Sequence, residues 1–185
     1  MTTRKNQKWS NVDFVLIVVT AALYAVTLLI TASLKIGPTP IRPANALQPV
    51  FGMFFGLPGS IGLAFGNLVN DMFTGMPPHA MILGFITNFL GGYIAYKAVS
   101  HPALATKKSW IEYYIFVTLI ASAIIAGSVY INVWLGLTSP AIAAFLIPNI
   151  FLNQFFATAI LGPVLIKFLY PFVKRSGLYR GRSVK

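Results

Sequence analysis

From Phe14 to Leu34 no charged residue interrupts a run of Val, Leu, Ile, Ala and Thr. A helix that crosses a bilayer needs about 20 such residues. Segments at about 79–98 and 110–134 meet the same requirement. One at about 140–170 exceeds it, with Pro148 and Pro163 placed to kink it or mark its ends. The stretch 44–75 is also apolar but breaks at Leu57-Pro58-Gly59-Ser60, which reads as a turn. Charged residues are 9% of the 185-residue chain, against about a quarter in a soluble domain. These runs predict an all-α membrane protein, a single transmembrane domain over residues 1–185. The first run is too long for a signal-peptide core and reads as a retained helix.

The net charge is +11. The basic residues lie in tails and short loops between apolar runs, which is the pattern that orients membrane proteins and not a nucleic-acid footprint. Arg4, Lys5 and Lys8 precede the first helix. Lys97, Lys107 and Lys108 flank the loop after 79–98, and Lys167, Lys174, Arg175, Arg180, Arg182 and Lys185 lie in or near the tail. Placing all three groups in the cytoplasm requires an odd number of crossings between residues 35 and 98. The stretch 44–75 then gives two crossings as a hairpin or none as a re-entrant loop. Its arms, at 1.5 Å per residue, reach roughly 20–25 Å against a core of about 30 Å. Two short helices are favoured, giving a bundle of six transmembrane helices (about 12–34, 44–57, 59–75, 79–98, 110–134 and 140–170) with both termini cytoplasmic. Lys35 and Arg42 break the pattern. Lys35 reads as interfacial snorkelling, whereas Arg42, held among Pro38, Pro40 and Pro43, suggests a ligand or partner.

Polar side chains within spans are costly and face the bundle interior or a cavity. Asn67, Asn70, Asp71 and Thr74 share one helical face by their spacing, as do Asn149 and Asn153, and Ser128 and Asn132. Asn45 and Gln48 open the second span, His79 opens the fourth, and Asn88 lies further along it. On the expected topology these groups gather toward the outer side, while the inner halves carry mainly Gly, Ala and aliphatics. A channel needs polar groups along its whole path; a one-sided cluster suits a cup that captures a ligand from outside. Tyr130, Trp134, Phe145 and Phe151 anchor the interface, with one or two expected in the pocket wall. Asp13 and Glu112 at helix starts suit the helix dipole.

There is no cysteine and no phosphate-binding G-x-x-x-x-G-K-[ST] loop, and His79 and His101 are expected on opposite membrane sides. No cofactor or metal is expected, and enzyme chemistry is disfavoured. A stand-alone small-solute facilitator or channel is the alternative from the residues. Gly59, Gly62 and Gly66, and Gly84 and Gly92, are spaced for close helix packing, and Ala21 and Ala25 form a small-residue seam that could dock a separate membrane subunit.

The size, the six short spans, the basic tail and Thr20-Ala21-Ala22-Leu23-Tyr24-Ala25 resemble the substrate-binding S components of energy-coupling factor (ECF) vitamin transporters. Within them the chain is most similar to the QueT group, through Ile41-Arg42-Pro43-Ala44-Asn45-Ala46-Leu47, Phe55-Gly56-Leu57-Pro58-Gly59, Gly66-Asn67-Leu68 and Gly84-Phe85-Ile86-Thr87-Asn88-Phe89-Leu90-Gly91-Gly92-Tyr93. Asn45 stands where an acid is expected as often. The resemblance implies capture of a small nutrient, a queuosine precursor of the 7-deazaguanine type or another heterocyclic vitamin. It also implies docking of Ala21 and Ala25 on a transmembrane coupling (T) subunit served by two cytoplasmic ATPase subunits. The expected cup residues are Arg42, Asn45, Gln48, Asn67, Asn70, Asp71, Asn88, Asn132, Asn149 and Asn153. The loop at 35–43 is the expected lid, hinged at Gly37, and a Tyr or Trp is expected to stack on the ligand ring.

Overall fold

The computed structural model describes residues 9–36, 39, 40 and 42–182. Arg4, Lys5, Lys8, Lys185 and the expected hinge Gly37 lie outside the described residues, and Lys35 is described by its backbone alone. Five helices carry the fold. They are α1 (Asn11–Thr31), α2 (Leu47–Phe73, entered through a 3-10 turn at Pro43–Ala46), α3 (Pro78–Ala98), α4 (Lys107–Trp134) and α5 (Pro140–Arg175). A two-stranded antiparallel ladder, Lys35–Ile36 against Thr39–Pro40, follows α1. Four helical stretches are long and apolar enough to cross a membrane: α1, Pro43–Phe73, α4 and α5. The α3 helix has 21 residues but is not one of the four. Asn88 and Lys97 dilute a segment whose apolar run first placed it among the clearest spans.

Ser10 starts α1 with a capping box, its hydroxyl accepting from the Asp13 N–H while the Asp13 carboxylate takes the Ser10 N–H at 2.9 Å. Leu16, Thr20, Tyr24 and Leu28, four apart, form the buried stripe of α1 and pack on α2. Val15, Val18, Val19, Ala22, Val26 and Ile30 face outward, an apolar surface that lipid can solvate. At the crossing, a Cβ on Gly66 would meet the Tyr24 Cβ at 3.0 Å and the Ala21 Cα at 3.2 Å, so the glycine lets the two backbones approach.

Gly56, at φ 61 and ψ −132, breaks α2 into two arms. In the first arm Gln48 lies level with Asn88 and Gly91, Gly52 against Gly92, and Gly56 against Tyr96. In the second, Ser60 and Leu63 lie against Gly92, and Asn67 and Asp71 against Gly84. The first arm therefore runs along α3 and the second runs back. The reversal falls at Gly56, one residue before the expected turn, because only glycine enters this region of φ and ψ without strain. Pro58 then sits in the first turn of the second arm, where its missing N–H is harmless.

Pro148 and Pro163 do not end the last span, since α5 runs on from Pro140 to Arg175. A π-helical turn at Ala157–Leu161 precedes Pro163, with the Gly162 N–H reaching back to the Ala157 carbonyl. Widening the helix there accommodates a residue that cannot donate. A second π-helical segment, Tyr113–Ile120, lies opposite in α4. The Tyr113 hydroxyl donates to the Thr158 carbonyl at 2.8 Å, tying the two.

Residues 179–182 strap the basic end together. The break at Gly56 leaves the Phe54 carbonyl, near the end of the first arm, without a helical partner, and the backbone N–H groups of Arg180 and Gly181 donate to it instead, at 2.8 and 2.9 Å. The Arg180 guanidinium pairs with Asp13 at 3.2 Å, and Arg182 Nη1 donates to the Lys97 carbonyl at 2.8 Å. Tyr179 donates to the Arg182 carbonyl, and burial, with Tyr170 beside it, pushes its phenol pKa up, so it stays a donor. Asp13 thus caps α1 and also anchors the tail. Glu112 accepts from the Ser100 N–H at 2.7 Å and lies 3.8 Å from Lys108, so it closes the α3–α4 connection.

Candidate functional site

A cavity of about 510 Å³ occupies the half of the bundle away from the strap. Its mouth is framed by Arg42, by Met76, Pro77 and His79 at the start of α3, and by Asn132 and Thr138 around the α4–α5 connection. Its lining ends at Asn88 on α3 and Gln154 on α5, both in mid-helix. Below that level the bundle is packed with Val50, Phe54, Leu63, Tyr113, Val117 and Ile166, each buried. The cavity is thus a cup closed at one end, of a size suited to a small molecule.

Amides close the deep end. The Tyr24 hydroxyl donates to Asn88 Oδ1 at 2.6 Å, and Gln48 Nε2 donates to the same oxygen at 2.8 Å. Gln154 Nε2 donates to Gln48 Oε1 at 2.7 Å, and Asn88 Nδ2 to the Gly84 carbonyl at 2.8 Å. These bonds link α1, the first arm of α2, α3 and α5. Amides bonded to one another in this way hold their orientations.

On the opposite wall Asp71 is buried, with Asn67 Nδ2 donating to Oδ2 at 2.6 Å and Asn70 Nδ2 to Oδ1 at 3.2 Å. The absence of a side chain at Gly84 keeps α3 clear of both: a Cβ there would lie 2.5 Å from Asn67 Nδ2 and 2.8 Å from Asp71 Oδ2. No salt bridge to Asp71 occurs among the described residues, although the Arg42 charge is felt at Asp71. Each carboxylate oxygen can accept further bonds. An acid held by two amides, in a cup with a single arginine at its rim, suits a ligand that carries both a cationic or N–H edge and an acceptor edge.

The QueT transporter family matches residues 14–171. This chain belongs to the QueT transporter family. No curated protein and no solved structure matches it significantly. Membership makes it a membrane-embedded transporter protein and not an enzyme, in line with its four long apolar helical stretches.

In this QueT chain Arg42, Asn45, Gln48, Asn67, Asp71, Asn88, Asn132 and Asn153 all line the cavity. Asn70 does not; it stands behind Asp71 as a donor. Asn149 does not either, because its Nδ2 turns back to the Phe145 carbonyl at 2.7 Å along its own helix. Among the expected cup residues, Gln48, Asn67 and Asn88 are bonded to other protein groups, whereas the side chains of Arg42, Asn132 and Asn153 have no hydrogen bond to another described residue. Thr74 is exposed and bonds its own helix. The aromatic wall is not there. Tyr130, Trp134, Phe145 and Phe151 all lie outside the lining, with Trp134 85% exposed, so they are surface anchors. The flat walls are aliphatic, from Leu83, Ile125, Leu146 and Ile150. Ala25, expected to face a coupling subunit, is only 4% exposed, and Ala21 packs on Gly66. On its inner side, Ala21 meets α2 at Gly66. The polar cavity residues not expected from the sequence are Thr87, Thr138 and Gln154. Gln154, the one glutamine in the last apolar run, carried a signal.

Proposed function

We propose that the chain is the substrate-binding S component of an ECF-type importer, a single transmembrane domain of six crossings that captures a 7-deazaguanine queuosine precursor from outside the cell. The cup carries this reading: it lies at the end opposite the basic residues, has Asp71 and amides in its walls and Arg42 at its rim, and is sealed at mid-depth. With both termini cytoplasmic by the positive-inside rule, the cup faces outward. The reversal at Gly56 supports counting the arms of α2 as two crossings.

The ligand face follows from the donors and acceptors. Asp71 suits the ammonium of an aminomethyl group, Arg42 suits the acceptor edge of a guanine-like ring, and Leu83 and Ile150 suit the ring plane. The ladder at 35–40 beside Arg42 would serve as a lid. A sealed lower half offers no path through, so release needs the T subunit and two ATPase subunits. Docking would use the outward stripe of α1 around Ala22, with the free edge of Ala21.

The test is equilibrium binding of 7-aminomethyl-7-deazaguanine to the detergent-purified chain, alongside mass spectrometry of small molecules that co-purify. Saturable binding by the chain alone is expected. A co-purified heterocycle of another class, with no deazaguanine binding, would reassign the substrate.

A further inference from the structure

A primary amide has a direction, since its nitrogen only donates and its oxygen only accepts. In the deep wall of the cavity that direction is fixed from one end. The Gly84 carbonyl can only accept, so the Asn88 group facing it at 2.8 Å is the nitrogen. Asn88 Oδ1 is therefore the acceptor for Tyr24 and for Gln48, and the Gln48 group at 2.8 Å is its nitrogen. Gln48 Oε1 then faces Gln154, whose nitrogen must meet it, at 2.7 Å. The chain of bonds ends on Gln154 Oε1. That atom is buried and has no partner among the described residues, in a side chain 2% exposed that lines the cavity. Turning the Gln154 amide over would set oxygen against oxygen at Gln48, so the acceptor cannot be exchanged for a donor.

We infer that Gln154 is a specificity-determining residue, a neutral acceptor fixed by the Gly84–Asn88–Gln48 relay that takes an N–H of the ligand at the deep end of the cup. This rests on the deazaguanine capture reading and adds to it. Asp71 on the other wall answers a charged donor; Gln154 demands an uncharged one. A ligand that presents a carbonyl or ring nitrogen there meets an acceptor that cannot turn.

The experiment pairs ligand and protein changes. The probes are 7-deazaguanine and three analogues that each lack one donor group: the 2-deamino, the N1-methyl and the N9-methyl compounds. With the wild-type chain, one analogue is expected to bind about ten- to hundredfold more weakly. In Gln154→Met that penalty is expected to fall to under about threefold, and in Asp71→Asn to remain. Gln154→Glu keeps an acceptor and, protonated at low pH, can also donate to Gln48; it is expected to regain discrimination as pH is lowered. It also serves if the methionine variant does not fold. Wild-type binding with no penalised analogue, or a penalty unchanged in Gln154→Met and independent of pH in Gln154→Glu, overturns the assignment and leaves capture standing. No binding of any probe by the wild type overturns both.

Discussion

Asp71 is the residue at which cost and purpose are easiest to weigh. A carboxylate in a span is expensive unless partnered, and here its partners are two amides, Asn67 and Asn70, with no cation bonded to it among the described residues. Two neutral donors orient the group but leave its charge uncompensated at contact range. Replacing it by the isosteric Asn keeps the volume and removes the charge. Asp71→Asn is expected to weaken binding of 7-aminomethyl-7-deazaguanine by at least about tenfold, near 1.4 kcal/mol, while the uncharged 7-cyano analogue changes little. Isothermal titration of both ligands checks this; equal losses for the two would make Asp71 a scaffold residue. The acid could be found from sequence because a charge among apolar residues is conspicuous. Asn149 lies outside the cavity lining, which its spacing does not reveal, because spacing gives the helix face but not the local turn of an amide, and this one bonds its own helix. Gln154 was passed over because Asn149 and Asn153 already defined a face, and Gln154 lies beside it.

At the level of elements, the strap shows how helix ends that lack partners are closed. The break at Gly56 frees the Phe54 carbonyl, and the N–H groups of the tail bond to it. Gly181 is required there for space: a Cβ on it would run into the Met53 carbonyl and come within 2.5 Å of the Tyr179 hydroxyl. Gly181→Ala must displace the strap and, with it, the Arg180 and Arg182 bonds. A loss of about 1–3 kcal/mol is expected, read as a lower unfolding temperature in detergent; an unchanged transition would mean that the tail is not bound in solution. The helices themselves were legible as apolar runs, and the α2 turn was placed within a residue because Gly and Pro mark it. The strap was not legible. Its bonds join residues far apart in sequence, such as Arg180 with Asp13, and a basic tail reads from sequence only as a topology signal.

For the whole molecule, everything about capture turns on which way the cup faces. The basic end holds the strap, the α3–α4 connection and the end of α5, and the cavity lies at the other end. Positive loops set the first in the cytoplasm. The chain has no cysteine, so single cysteines report sidedness without background. Ser139, before α5, and Ser176, after it, are both exposed and lie at opposite ends of a 36-residue helix. At 1.5 Å per residue that helix is about 54 Å long, more than enough to separate the two sites across a core of about 30 Å. A membrane-impermeant maleimide added to intact cells is expected to label Ser139→Cys, and Ser176→Cys only after permeabilisation. The reverse pattern would turn the cup toward the cytoplasm, and a cup sealed at mid-depth and facing inward has no access to an external nutrient.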